Sequence, residues 1–437
     1  MKNYRKLLPI VLIVVMAISW YMLISDSINS DAEYNKYIKT ARNYAEDGIT
    51  KYAIENYILA LEIKETSDIY KEVAEYYKSQ EKMSDYLEWC EDFWDKYPTN
   101  AEAYECVLDA YLYELDYEAC YDALIMADKR SVKSDKIEKV REEIYYAYEL
   151  EFNSYEEVGT YSNNYCPVKN DNMWGYVDRY GHVRVGTKYT KVGAYTQSAF
   201  TSVVNSEGEA YFIDKAGSKV MVSKEKYKSF GLLVDGKIAA EKENGKYVYV
   251  DTEFKELFGD YAFASTFNNG IAAVKSDDKW KLIDSEGKSI TNTEYLDVKL
   301  DEKQIAFRNE RAFVSKENGK YIMIDTNAKQ VGKLEFEDAM VFVSEAPTAV
   351  KVDGKWCFID LNGKLISKKH YEDARPFSNG LAAVCINGLW GFVDEKEVIA
   401  IEPCFYGAKE FNEIGSCFVK EMDEWKLLKL YRLNREK

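Results

Sequence analysis

A chain of 437 residues has room for two or three domains, each with a core of its own. With 47 % hydrophobic and 15 % aromatic residues it is too apolar to be disordered. A net charge of −17 argues against nucleic acid, whose phosphates demand clustered Lys and Arg, and favours solubility and repulsion from anionic surfaces.

The chain opens with an uncharged apolar run, Leu7 to Ile24, of 18 residues. At roughly 1.5 Å per residue this just spans a ~30 Å hydrocarbon core. Lys2, Arg5 and Lys6 precede it, Asp26 and Asp31 follow, and Trp20 and Tyr21 stand near its outer end. The basic flank predicts a cytoplasmic N-terminus and an extracytoplasmic bulk. The competing reading is a cleaved signal peptide, but the run is long for one and Ser-Asp-Ser-Ile-Asn-Ser lacks a small-x-small site. Residues 1–31 are therefore expected to be a basic tip, a signal-anchor helix (about 7–24) and a linker in the cell membrane.

Residues 32–152 carry helical periodicity. Ala41, Tyr44, Ala45, Tyr52, Ala53, Tyr57, Ala60 and Leu61 recur at threes and fours, with Gly48 at the turn between two predicted helices. Tyr44, Tyr77, Tyr111 and Tyr145 then repeat at spacings of 33, 34 and 34. This pattern resembles the tetratricopeptide repeat, a 34-residue helix-turn-helix. Ser84 and Tyr86 depart from it in the second unit. Three units and a closing helix through Tyr145–Tyr148 are expected. Two roles stay open, a spacer and a concave groove for a partner peptide.

From about residue 153 to 437 short strand-like runs alternate with Gly, Asn and Asp. The clean copy has Gly380–Val384, an Asn387-Gly388 turn, Trp390–Asp394, Val398–Ile401 and Phe405–Phe411, a predicted four-strand unit. The head of its second predicted strand recurs at Trp174, Ala210, Tyr247, Trp280, Tyr321, Trp356, Trp390 and Trp425, spaced 36, 37, 33, 41, 35, 34 and 35 residues apart. Eight copies at seven near-equal spacings make this a repeat protein. The pairs Trp174-Gly175 and Trp390-Gly391 carry a resemblance to the WG repeat. That family implies a β-propeller-like fold and no general catalytic activity. Units of about 35 residues cannot bury a face alone, so radial packing of small sheets is expected. The segment Tyr155–Val158 and Tyr161 matches the fourth predicted strand, whereas the C-terminal Cys417–Val419 and Trp425–Leu428 match the first and second. The two ends are thus expected to share a blade and close a ring of seven or eight four-stranded blades, with an open stack of hairpins as the alternative. The predicted fold class is multidomain, α-helical then all-β.

One large ring per unit at a fixed register, as at Trp174, Trp280, Trp356, Trp390 and Trp425, is what inter-blade packing needs. The Asp four residues on (Asp178, Asp284, Asp360, Asp394, with Asp214, Asp251 and Asp325) ends a strand before a turn, often with Gly three later. Such an Asp bonds its own backbone, and no calcium-loop spacing surrounds it. His182 and His370 stand alone. The eight cysteines form no CxxC pair and read as buried free thiols. No nucleotide-binding or nucleophile-elbow motif occurs. No catalytic residue, metal or cofactor is therefore expected. The functional expectation is a membrane-anchored, non-catalytic scaffold or adaptor for partner proteins outside the cytoplasm. The alternative is a cell-envelope glycan-binding protein that uses tyrosines on the propeller face.

Overall fold

The computed structural model describes residues 16, 20, 29–316 and 318–434. The chain divides into two units, Met1–Tyr145 and Tyr146–Lys437. The predicted anchor at 7–24 lies, Met16 and Trp20 apart, outside the described residues. Among the described residues no helix is long and apolar enough to cross a membrane.

The first unit is helical: α1 (29–46), α2 (Thr50–Ile63), α3 (Ser67–Ser79), α4 (Met83–Lys96), α5 (Ala101–Tyr113), α6 (Tyr117–Lys129) and α7 (Asp135–Glu143). The helices start for local reasons. Asn100 accepts from the backbone N–H of Glu102 and Ala103, Asp116 from Ala119 and Ser134 from Ile137, each satisfying donors that the first turn leaves free. The tight turns inside each pair place Gly48, Glu81 and Leu115 at positive φ. Fully buried alanines, Ala41, Ala53 and Ala60, let the helices approach closely around Tyr57. Alternate helices are laced by ion pairs, Arg42–Glu72 at 2.7 Å, Lys71–Glu102 at 2.5 Å and Lys136–Glu105 at 3.8 Å. The expected closing helix through Tyr145–Tyr148 is corrected: α7 ends at Glu143 and a strand begins at Tyr148. That strand exists because it pairs with Glu424–Leu430 at the far end of the chain.

Among the described residues the second unit holds eight small antiparallel sheets. In chain order, blade 1 spans 157–189, blade 2 191–221, blade 3 227–261, blade 4 263–283, blade 5 297–324, blade 6 338–359, blade 7 373–405, and blade 8 407–430 together with 148–155. Each pair of successive blades shares one apolar cluster, and the eighth cluster joins Phe418 and Leu427 of blade 8 to Val158 and Val168 of blade 1. The ring is therefore an eight-bladed β-propeller. Its seam is the strand Tyr148–Tyr155, which completes blade 8 from the start of the unit. The shared blade expected at the ends is present, and the returning strand lies just upstream of the segment predicted for it.

Blade 7 shows why consecutive residues look uniformly apolar. Leu381, Ala383 and Cys385 face blade 8, while Ala382 and Val384 face blade 6. A strand buried on both faces loses its alternation. The strand partition differs from the predicted one. The innermost strand is the pair Asp373–Ala374, ahead of the predicted first strand, and Ile399–Phe405 is one continuous outer strand. The remainder of the predicted fourth strand, Gly407–Ala408, is the innermost strand of blade 8.

Four strands per blade is also corrected, since blades 4, 5 and 6 have three. Their outer segments touch the third strand only through isolated bridges such as Trp356↔Tyr371 and Ile359↔Leu365. In blade 7 the glycine of the Trp-Gly pair makes room for the full outer strand. A Cβ on Gly391 would lie 2.5 Å from the Ile401 carbonyl oxygen and 2.7 Å from the Pro403 nitrogen. A full outer strand therefore bulges onto that position. Blades 4, 5 and 6 carry Lys281, Ile322 and Cys357 there, whereas blades 2 and 8 keep an outer strand beside Tyr211 and Lys426, so the glycine is one way to seat that strand and not a requirement. Blade 3 resolves the same clash from the other side. Its Val248 faces Gly259, where an added Cβ would lie 2.6 Å from the Val248 Cα.

Candidate functional site: the mouth of the propeller channel

Trp280, Trp356 and Trp390 are 7–8 % exposed, and Trp174 and Trp425 are half-buried. Each lies opposite an aromatic residue of the outer segment, as in Trp174↔Tyr189, Trp390↔Phe405 and Trp425↔Tyr155. These rings sit at the edge of the inter-blade clusters. The residue two positions on does the deeper packing. Tyr176, Tyr249, Phe358 and Phe392 are at most 1 % exposed. They meet Tyr195, Phe267, Phe377 and Phe411 of the next blade at 4.8, 4.7, 4.6 and 4.8 Å between ring centroids. Sequence reading missed this second aromatic set because strand runs buried on both faces carry no periodic mark.

The repeated carboxylates are turn residues. Asp178 accepts from the N–H of Tyr180 and His182, Asp284 from Glu286 and Lys288, Asp360 from Asn362 and Lys364, and Asp394 from Lys396 and Val398. They stand one to a blade, at the turn into the outer segment, and the ring keeps them apart. Burial alone would raise the Asp178 carboxyl, but Arg184 and the two N–H donors outweigh it and hold it below the usual range. Among the described residues no cluster of three His, Cys, Asp or Glu side chains is arranged to hold a metal ion. None of the eight cysteines forms a disulfide, and Cys404 is exposed.

What the repeat does bring together is a charged cavity of about 1150 Å3 at the inner strands of the ring, lined by blades 1, 5, 6, 7 and 8. Its unusual wall comes from blade 5. The connection 299–311, between the inner strand ending at Val298 and the second strand starting at Ala312, is the longest of the eight. It accounts for the 41-residue spacing from Trp280 to Tyr321. Asp301 shapes this loop, accepting from the N–H of Lys303 and Ile305 at 2.9 Å and from Arg308 at 2.7 Å. Thr266 of blade 4 holds its far side, donating from its N–H to the Gln304 carbonyl at 2.8 Å. Glu302 then reaches Lys409 of blade 8 at 2.6 Å, so the loop is braced across the channel.

The cations of this wall share a position just after an inner strand. Lys299 pairs with Asp338 at 2.7 Å and lies 4.4 Å over the Tyr321 ring. Arg375 pairs with Asp373 at 3.3 Å and lies 4.6 Å over Trp390. Lys409 lies 5.8 Å over Trp425. The repeat aromatics thus form shelves for cations facing the channel. The sequence signal was a basic residue after Asp297-Val298, Asp373-Ala374 and Gly407-Ala408, which a reading of the Trp register alone passes over. Burial pushes the Lys303 ammonium below its usual range, with Arg308 adding to the effect, and pushes the Glu410 carboxyl above its own. Burial would lower Lys299 as well, but Asp338 and Tyr321 raise it.

The pattern of the WG containing repeat family matches residues 154–174, 249–280 and 358–390. Among solved structures, BamB from Moraxella catarrhalis is similar at 10 % identity and a TM-score of 0.41, covering 62 % of this chain and 96 % of that one. KlHsv2 with loop 6CD replaced by a Gly-Ser linker is similar at 9 % identity and a TM-score of 0.37, covering 56 % and 96 %. No curated protein matches.

Proposed function

We propose that this protein is a non-catalytic scaffold that binds partner proteins through the mouth of its propeller channel. The observation that carries the proposal is the character of that mouth. At about 1150 Å3 it is wider than the ~300–1,000 Å3 usual for a small-molecule pocket. Its wall presents paired charges of both signs from several blades, a surface suited to complementary recognition of a polypeptide. The helical unit, with pairs that recur at 34 residues, supports a tetratricopeptide-like reading and a second place for a partner. The run at 7–24 supports membrane anchoring with the bulk outside the cytoplasm.

Cross-linking of the full chain in intact membranes, followed by identification of the captured proteins, tests the scaffold. A reproducible set of partners is expected, and Lys409→Glu and Asp338→Lys should deplete it while circular dichroism shows the propeller still folded. A set indifferent to both changes would overturn the assignment of the channel mouth. Protease treatment of intact cells should digest the propeller, and protection would reverse the topology.

A further inference from the structure

A second concavity, of about 590 Å3, lies between blades 1 and 2. Its walls are the turns into their outer segments, which contribute Arg179 and Arg184 from blade 1 and Lys215 from blade 2, with Tyr165 and Asn164 between them. Arg184 is neutralised by Asp178 at 2.6 Å. The other two cations have no carboxylate partner among the described residues. Arg179 bonds the Tyr180 hydroxyl at 2.9 Å and lies 5.0 Å over that ring. Lys215 lies 5.3 Å over the Tyr165 ring. Both side chains are part-buried, so neither is fully repaid by water. The acid lining the cleft, Asp178, is taken up by Arg184, so in a chain with 75 acidic and 58 basic residues the other two cations make the cleft a local reversal of charge.

The third observation is Asn164. Its Oδ1 is buried and accepts no hydrogen bond from the described residues. An unmet buried acceptor costs about 1–3 kcal/mol, which a ligand donor would recover once the amide turns toward the cleft. Asn164 also lines the channel cavity, so the cleft and the channel mouth form one track.

We infer that this cleft binds an acidic, extended segment of a partner polypeptide. Carboxylate side chains would meet Arg179 and Lys215, and a backbone N–H would meet the Asn164 carbonyl. Inorganic phosphate, as the dianion, supplies charge and a single hydroxyl donor but cannot reach from the cleft to the channel mouth. A peptide supplies both, and it is long enough to continue from the cleft into the channel mouth. The inference rests on the scaffold reading and adds the chemistry of the partner to it.

The test is fluorescence anisotropy of a labelled Glu-Ala repeat peptide with the full chain, at low and high salt. Binding that weakens with salt is expected. Arg179→Gln and Lys215→Gln should each weaken it about tenfold, the loss of one charge-assisted hydrogen bond. Arg184→Gln is unsuitable as a control because Arg184 braces the Asp178 turn, so Lys224→Gln serves instead and should leave binding unchanged. Absence of peptide binding, equal binding by the Arg179→Gln/Lys215→Gln double variant, or preference for a polyuronate over the peptide would each overturn the inference. The two readings separate in the cross-linking experiment. If the double variant still captures the wild-type partner set through a channel mouth sensitive to Lys409→Glu, the scaffold stands and the acidic track falls.

Discussion

Gly391→Ala is the sharpest probe of how blade 7 seats its fourth strand. The new methyl would lie 2.5 Å from the Ile401 oxygen, 2.7 Å from the Pro403 nitrogen and 2.8 Å from the Pro403 Cα. All three are backbone atoms, so no side chain can rotate away and the outer strand itself must retreat. Overpacking of this kind costs roughly 1–3 kcal/mol. Retreat also strips hydrogen bonds from Ile399–Phe405, each worth about 1 kcal/mol, so a total near 3 kcal/mol is expected. Gly388→Ala is the control in the same hairpin. Nothing lies within 4 Å of its added Cβ, and its φ of +79° leaves only left-handed strain, about 1–2 kcal/mol. Urea melts of both variants give the energies, and amide hydrogen exchange over 399–405 locates the damage. The reasoning fails if Gly391→Ala costs no more than Gly388→Ala and the outer strand of blade 7 exchanges as in the wild type.

Four further outcomes are expected. Tyr176→Ala should cost about 3–5 kcal/mol, as a fully buried ring that also donates to the Gly193 carbonyl at 2.7 Å. Trp174→Ala, whose ring is half-buried at the rim of the same blade, should cost about 1–2 kcal/mol by chemical denaturation, and the reverse order would show that the Trp is the main inter-blade contact after all. Glu149→Pro, opposite Lys429 in the strand that closes the ring, removes a ladder donor. It should lower the melting temperature and expose an aggregation-prone edge on blade 8, so an unchanged monomer would argue against closure by that strand. Glu410→Gln should be more stable than the wild type at neutral pH. Burial raises this carboxyl above its unfolded value, so the native state holds its proton longer. The destabilisation is absent below the unfolded pKa and grows as pH rises through the folded one. Melting temperature against pH should show the two proteins converging in acid, and a constant gap would exclude this cause.

Much of the propeller was legible before any coordinates, because its instructions are local. Asp394 accepts from residues two and four places on, and Asn387-Gly388 adopts φ of 54° and 79°; both need only their immediate neighbours. The period of the Trp register follows equally from one chain direction and one repeated hairpin. The match between the two ends of the β region foretold a shared blade for the same reason. Sequence reading faltered where a residue's role depends on a partner one repeat or more away. Phe405 and Gly407 are two residues apart, yet one ends blade 7 and the other begins blade 8.

The amino-acid order by itself thus determined the helical pairs, the repeat, its turns and the propeller class. Tertiary structure alone decided that blades 4, 5 and 6 keep three strands, that Tyr176 and Phe392 lie deeper than Trp174 and Trp390, and that Glu302 meets Lys409 across the channel. The physical reason is that turn chemistry and strand propensity act over a few bonds, whereas burial and ion pairing are set by which surfaces meet once the ring has closed.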